Sequence, residues 1–219
     1  MEKYLNIIEK LPLFNGITRE KIPQVLSLLN ASVENFKKGQ TISNEGDKVK
    51  RAGIVLFGNV QVFEQDYYGN RNLISDLTDG QLFGEALCCS ETESFPYYIM
   101  AVENSTVLLF DCKILMSQKG CAYGFCGQFM QNLLQIISQK SLILREKITL
   151  LSKRTTREKL MEYLLLESKK AGKREFDIPL DRQQLADYLG VDRSAMSSEI
   201  SKLQKDGIIK THKKHFIIY

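Results

Sequence analysis

With 219 residues the chain can form one large domain or two modest ones, each with its own buried core. It shows no signal-peptide pattern and no apolar run near the roughly 20 residues that span a bilayer, and its five cysteines form no CxxC pair or framework spacing; a membrane partner and a disulfide scaffold are excluded, and a cytoplasmic, reducing location is expected. The net charge of +4 is unevenly held: residues 151–219 carry 15 Lys/Arg against 10 Asp/Glu and residues 1–150 carry 15 against 16, so the excess positive charge lies at one end, with the sign expected of a nucleic-acid-binding segment.

The first thirty residues read as helical, with Ile17-Thr18-Arg19-Glu20 opening a helix that runs towards Leu29. From Val33 to Asp111 short apolar or alternating runs replace that pattern: Gly53–Phe57, Val60–Phe63, Leu73–Leu77, Tyr97–Val102 and Thr106–Phe110, separated by Gly, Asn and Asp turns. This predicts an antiparallel β-barrel or jelly roll. A helix then begins after Gly120 or Gly127 and runs without proline to about Ser152, with Phe125, Phe129, Leu133, Ile136, Ile137, Leu144, Ile148 and Leu151 giving it a wide apolar face. At 1.5 Å per residue it is roughly 40–45 Å long. A small β-roll cannot cover so long a face, and a partner helix of a second copy can, so a homodimer is expected. Thr155 or Thr156 caps the next helix, 157–170, and a short strand is expected at Phe176–Leu180.

The stretch Asp181–Gly207 reads as two short helices about a tight turn. Asp181 caps the first, Leu185, Ala186 and Leu189 share its inner side, and Gly190 ends it. Asp192 caps the second, in which Met196, Ile200 and Leu203 form an i, i+4, i+7 stripe. Opposite that stripe lie Arg193, Ser194, Ser197, Ser198 and Lys202, residues that reach base edges and phosphates when a helix enters the DNA major groove. A plain pair of packed helices would share the apolar pattern. The caps, the dividing glycine and the tail that follows favour a helix-turn-helix, because Ile208–Ile209 and Phe216–Tyr219 around a basic tip read as the hairpin of a winged helix.

LFGNV at 56–60, GQLFGEAL at 80–87 and RQQLADYLGVDRSAMS at 182–197, in that order and spacing, resemble the Crp–Fnr family of bacterial transcription regulators. The resemblance covers essentially the whole chain. It implies an α+β architecture: a jelly-roll-like antiparallel β-roll sensor over residues 1–118, a dimerisation helix and hinge over 119–153, and a winged helix-turn-helix over 154–219. It also implies a homodimer on a palindromic double-stranded operator, gated through the β-roll, with RNA polymerase as a further partner if the protein activates.

In cyclic-nucleotide-binding members the Gly-Glu matching Gly84 and Glu85 receives the ribose and cyclic phosphate, and an Arg-Ser or Arg-Thr holds the phosphate. Here those two positions are Phe95 and Pro96, so the always-charged bidentate clamp is missing and no useful affinity for a cyclic nucleotide is expected. The family's iron–sulfur sensors use an N-terminal cysteine cluster, and residues 1–87 contain no cysteine. Haem sensors use a histidine in the β-roll, and the only two histidines here, His212 and His215, lie in the wing without further ligands; no metal site is expected.

Two readings of the effector stand. In one, an apolar or aromatic small molecule is held by Gly84, Glu85, Phe95, Pro96, Tyr97 and Tyr98 with Leu144 and Arg145 of the long helix; in the other, the aromatic side chains close the pocket themselves. Cys88, Cys89, Cys112, Cys121 and Cys126 are either small core residues or a thiol switch.

For DNA, the family's base readers match Arg193, Ser194 and Ser198, and only Arg193 keeps the geometry for guanine O6 and N7. Ser197 shares their face, while Arg182, Lys202, Lys213 and Lys214 are expected on phosphates. A β-roll module acting on a protein partner would leave the basic winged helix unexplained. An enzyme would need a nucleophile–base pair, metal cluster or phosphate loop that the sequence lacks.

Overall fold

The computed structural model describes residues 2–48, 51–69, 71–90, 92–116 and 124–219. The chain divides into two compact units, residues 1–139 and 140–219.

The first unit opens with a short helix α1 (Leu5–Ile8) and a second, α2 (Ile22–Leu28). The helix expected from Ile17 starts only at Ile22, because Pro23 belongs in a first turn, where its missing N–H has no intrahelical acceptor to serve. Eight strands follow in two antiparallel sheets: β1 (Ser32–Phe36), β2 (Thr41–Ser43), β3 (Ala52–Phe57), β4 (Val60–Gln65), β5 (Arg71–Leu77), β6 (Leu82–Phe83), β7 (Tyr98–Ala101) and β8 (Ser105–Phe110). The sheet orders are β1-β8-β3-β6 and β2-β7-β4-β5. Residues 52–56 of β3 are buried in succession, as in a strand covered on both faces. At the Gly53↔Phe83 pair of β3 and β6, glycine is required by space and not by its dihedrals: a Cβ there would lie 2.2 Å from the tip of the Phe83 ring.

A one-turn helix α3 (Glu85–Cys88) follows Gly84, whose φ of 72° suits glycine. The long helix α4 (Cys126–Leu151) starts just before Gly127, which it includes, and not after it as one expectation had it; Gly120 and Cys121 lie outside the described residues. Its Phe129 is fully buried edge-on to Phe14 and Phe110, at 5.7 and 6.3 Å between ring centroids. The buried Asn132 donates to the Leu13 and Asn15 carbonyls at 3.0 and 2.7 Å, so its polar head is satisfied inside an apolar core.

In the second unit, α5 (Thr156–Ala171) is opened by a capping box in which Thr155 accepts from the Glu158 N–H and Glu158 accepts from the Thr155 N–H. Gly172 ends it in the left-handed conformation. Helices α6 (Arg182–Leu189) and α7 (Arg193–Lys205) follow, with a three-stranded sheet ordered β10-β11-β9 from β9 (Glu175–Asp177), β10 (Ile209–His212) and β11 (His215–Ile218). Strand β9 stops before Pro179, three residues short of the expected Leu180, since proline supplies no ladder donor. The apolar residues 160, 163, 164, 185, 186, 189, 196, 200, 203, 209, 216 and 218 make one core with Leu150 of α4.

Candidate nucleic-acid interface and sensor pocket

The turn between α6 and α7 is built as its sequence dictates. Asp181 accepts from the Gln184 N–H at 2.9 Å while Gln184 accepts from the Asp181 N–H, a second capping box. Gly190 closes α6 at φ 60°. Asp192 then accepts from the Ser194 and Ala195 N–H groups at 2.8 and 2.9 Å and from the Ser194 hydroxyl at 2.5 Å. Those bonds, the hydroxyl's first, hold the Asp192 carboxyl below its ordinary pKa. Leu185, Ala186, Leu189, Met196 and Leu203 are wholly buried and Ile200 nearly so. The opposite face of α7 is therefore the one left to solvent.

On that face Arg193, Ser194, Ser197, Ser198 and Lys202 are all exposed. Their side chains are engaged differently. Ser194 spends its hydroxyl proton on Asp192, and Lys202 is paired with Glu199 at 2.6 Å. Lys213 is at the wing tip with φ 53°, a left-handed conformation unusual for a lysine. Lys214, beside it, donates to the Pro179 carbonyl at 2.7 Å. Arg182 faces the wing: one terminal nitrogen donates to the Thr211 hydroxyl at 3.1 Å and the guanidinium lies 4.9 Å from the Phe216 ring centroid. Burial lowers its pKa, and Nη1 is buried with no hydrogen-bond partner among the described residues. Arg182 thus ties the start of α6 to the wing. His215 sits between Asp177 and Glu175, at 3.0 and 3.1 Å, on the neighbouring strand.

Sequence reasoning missed a cleft of about 550 Å³ where Thr155, Thr156 and Arg157 at the start of α5 meet Ala195, Ser198, Glu199 and Lys202 of α7. The caps at Thr155 were legible, but their adjacency to α7 was not. Arg157 fastens the two helices by a 2.7 Å pair with Asp206. Lysines also serve the C-terminal end of α6: Lys147 donates to the Tyr188 carbonyl with its ammonium 3.5 Å from the Tyr188 ring centroid, and Lys159 donates to the Leu189 carbonyl at 3.3 Å. Cations there oppose the negative end of the helix dipole. Burial pushes the Lys147 ammonium below its usual pKa.

In the first unit a cavity of about 350 Å³ is lined by Ile42, Ser43, Asp47, Lys48, Arg51, Phe83, Phe95 and Leu109. Glu85 is buried beside Tyr97, whose phenol is pushed up to about 12 by burial and by the Glu85 charge. Phe95 is 4% exposed and packs against Tyr97 and near Gly84. Pro96 is exposed and Tyr97 and Tyr98 are half-buried; Tyr98 stacks on Phe63 at 5.5 Å. Leu144 and Arg145 are exposed on α4 within the second unit.

The cyclic nucleotide-binding domain family matches residues 33–117, and the Crp-like helix-turn-helix domain family matches residues 158–219. The chain belongs to the Crp–Fnr family. Members of this family are DNA-binding transcription regulators and not enzymes, and so is this chain. Among curated proteins the regulator is 26% identical over 195 residues to the transcriptional activator protein FnrL of Cereibacter sphaeroides, across 84% of the chain and 75% of the relative. It is 24% identical over 184 residues to the transcriptional activator protein FnrA of Stutzerimonas stutzeri, across 82% and 73%. Among solved structures it resembles CprK complexed with OCPA, at TM-score 0.62 and 15% identity over 91% of each chain. It also resembles the c-di-GMP-responsive regulator CLP of Xanthomonas campestris, at TM-score 0.56 and 15% identity over 92% of the chain and 99% of the other. At such identities the structural likeness shows the fold.

Proposed function

We propose that this regulator acts in the cytoplasm as a homodimer on a palindromic operator, gated by a small molecule other than a cyclic nucleotide. The observation that carries the dimer is a seam along α4. Residues 134, 137, 141, 144, 148 and 151 recur at alternating spacings of three and four, the heptad seam of a coiled coil. Leu134, Leu144, Ile148 and Leu151 on it are 65, 60, 60 and 42% exposed, with Leu142 and Ile143 exposed alongside. A row of large apolar side chains left in water on one helix calls for a second copy of that helix. Residues 119–153 are the dimerisation helix and hinge in this reading, between a sensor at 1–118 and the DNA-binding domain at 154–219.

On DNA, Arg193 reads a guanine, Ser194, Ser197 and Ser198 line the groove, and Lys202 and Lys213 meet phosphates. Thr156 and Arg157 join them from the neighbouring cleft. Arg182 and Lys214 support the wing. RNA polymerase is a partner if the regulator activates.

The residues at the expected clamp speak against a cyclic phosphate. Phe95 and Pro96 stand where its clamp would be, and Arg51, the arginine of the cavity, is committed to Glu34 at 3.0 Å and Ser32 at 2.9 Å. Phe83 and Phe95 of the cavity suit an apolar or aromatic effector, with Gly84, Glu85, Tyr97 and Tyr98 as the neighbouring residues of the first unit in this reading.

Sedimentation equilibrium at micromolar concentration tests the dimer. The wild type is expected as a dimer, and Leu144→Glu/Ile148→Glu as a folded monomer that no longer shifts DNA from upstream of its own gene. A monomeric wild type that still binds that DNA tightly would overturn the reading. Calorimetry with cyclic AMP and cyclic GMP is expected to show no binding, and low-micromolar affinity for either would remove the effector assignment.

A further inference from the structure

A helix leaves its last four carbonyls without intrahelical donors. In α6 these belong to Ala186, Asp187, Tyr188 and Leu189, and the fold meets them from two sources. The turn serves Ala186 and Asp187: the Val191 N–H donates to the Ala186 carbonyl and the Gly190 N–H to that of Asp187, both at 3.1 Å. Lysines of two other helices serve the rest. Lys147 of α4 donates to the Tyr188 carbonyl and Lys159 of α5 to the Leu189 carbonyl. The end of the first helix of the helix-turn-helix is thus completed by side chains from outside the motif.

Lys147 is well matched to this place. Its ammonium meets a carbonyl at the negative end of α6 and lies 3.5 Å from the centroid of the Tyr188 ring. That ring is held in turn by Tyr163 of α5, at 5.5 Å between centroids. Further along α4, Leu150 is 1% exposed in the core of the second unit. Leu151 reaches the turn, where a Cβ on Gly190 would lie 3.5 Å from its Cδ2. Helix α4 also pairs Glu146 with Lys170 of α5 at 3.5 Å, but both side chains are exposed and such a pair contributes little. The half-buried Lys147 is the stronger fastening.

We infer that Lys147 is a positioning residue for DNA binding, holding the end of α6 where the turn presents α7 and Arg193 to the major groove. Residues 190–192 alone separate the two helices, and Asp192 among them caps α7. So short a turn passes a shift of the α6 end on to Arg193. Without the ammonium, the Tyr188 carbonyl loses its donor and the ring loses the cation over its face. Lys147 touches neither base nor phosphate in this role, because its charge is spent on Tyr188. The inference rests on the reading in which the Arg193 face of α7 enters the groove, and it needs no effector.

A duplex selected from a random library by the wild-type protein serves as the operator, and a scrambled duplex of the same composition as the reference. Affinities for both are measured by fluorescence anisotropy, well below the melting temperature of each variant. Lys147→Met keeps the aliphatic stem and removes the ammonium. It is expected to bind the operator roughly tenfold more weakly than Lys169→Met, and the scrambled duplex within about twofold of it. Lys169 is exposed in the last turn of α5, so its replacement corrects for the lost charge. Lys147→Arg can still donate to the carbonyl and stack on the ring, and is expected to restore operator binding. Lys147→Gln ends short of the carbonyl and is read in the same way, so the test stands even if Lys147→Met does not fold. A merely structural lysine would lower the melting temperature and leave the ratio of the two affinities unchanged. That result, an equal loss on both duplexes, or no rescue by Lys147→Arg would overturn the inference. Arg193→Ala measured alongside separates the two levels. If it too binds the operator normally, the reading of α7 falls and the inference with it; if it alone is weakened, only the role of Lys147 falls.

Discussion

Replacing Gly53 by alanine probes the tightest packing constraint in the sensor unit. The added Cβ would lie 2.2 Å from Phe83 Cζ and 2.6 and 2.7 Å from the two Cε atoms. Ordinary carbon–carbon contacts are about 3.5–4.0 Å, so the ring must retreat by more than about 1 Å. Phe83 is 5% exposed and paired to Gly53 across β3 and β6, and its other side lines the cavity, so the retreat displaces packed neighbours. Overpacking of this kind costs about 1–3 kcal/mol. Taking about 2 kcal/mol, a unit of this size should melt roughly 6–8 °C lower. The assay is differential scanning calorimetry of the full chain, following the sensor transition. A second variant supplies the control: Phe83→Leu removes the ring and costs about 1–2 kcal/mol alone. The Gly53→Ala/Phe83→Leu pair should be less destabilised than the sum by about 1–2 kcal/mol, since each change relieves the other. Gly53→Ala melting with the wild type, or strict additivity in the double variant, would refute the steric argument.

Three further outcomes are expected. Arg193→Ala should lose about 1–3 kcal/mol of affinity at the cognate operator in a fluorescence-anisotropy titration, with relaxed preference at one base pair; equal weakening on every sequence would make Arg193 a phosphate contact. Thr155→Ala removes the acceptor for the Glu158 N–H and should cost about 1 kcal/mol, lowering the melting of the second unit by roughly 4–8 °C, whereas Thr155→Ser should stay close to wild type. Hydrogen bonds at the helix starts lower the Asp192 and Glu158 pKa values, so their stabilisation is complete above the unfolded values of 3.8 and 4.5 and is lost as the pH falls through the lower folded ones. Acid melting curves of Asp192→Asn should show a weaker loss over that window than the wild type; identical curves would show that Asp192 does not contribute.

Much of the second unit was legible because its signals are local. A cap and its N–H partner are two or three residues apart, as at Asp181, Asp192 and Thr155, and a glycine that ends a helix sits directly after it. The apolar stripe of α7 is likewise a property of one helix. In the first unit the strongly apolar strands were legible, but β1, β2 and β6 were not. Ser32–Phe36 is half polar, and it is a strand because β8 offers it a complete ladder from Leu109 to Ser105. The two residues of β6 are a strand only because Gly53 leaves room for Phe83.

The site residues divide along the same line. Sequence identified which face of α7 meets solvent, since the buried stripe leaves only one other. It could not tell which polar side chains on the basic surface are already engaged, because those partners are remote in the chain. Arg182 and Lys214 read as phosphate contacts in the sequence, and only the fold shows that one also meets Thr211 and Phe216 and the other the Pro179 carbonyl. The periodicity, caps and order of elements were fixed by neighbours along the chain, where backbone geometry alone sets the distance. The paired arginines and the cleft beside α7 were decided by tertiary structure, because only packing brings together groups that the covalent chain holds apart.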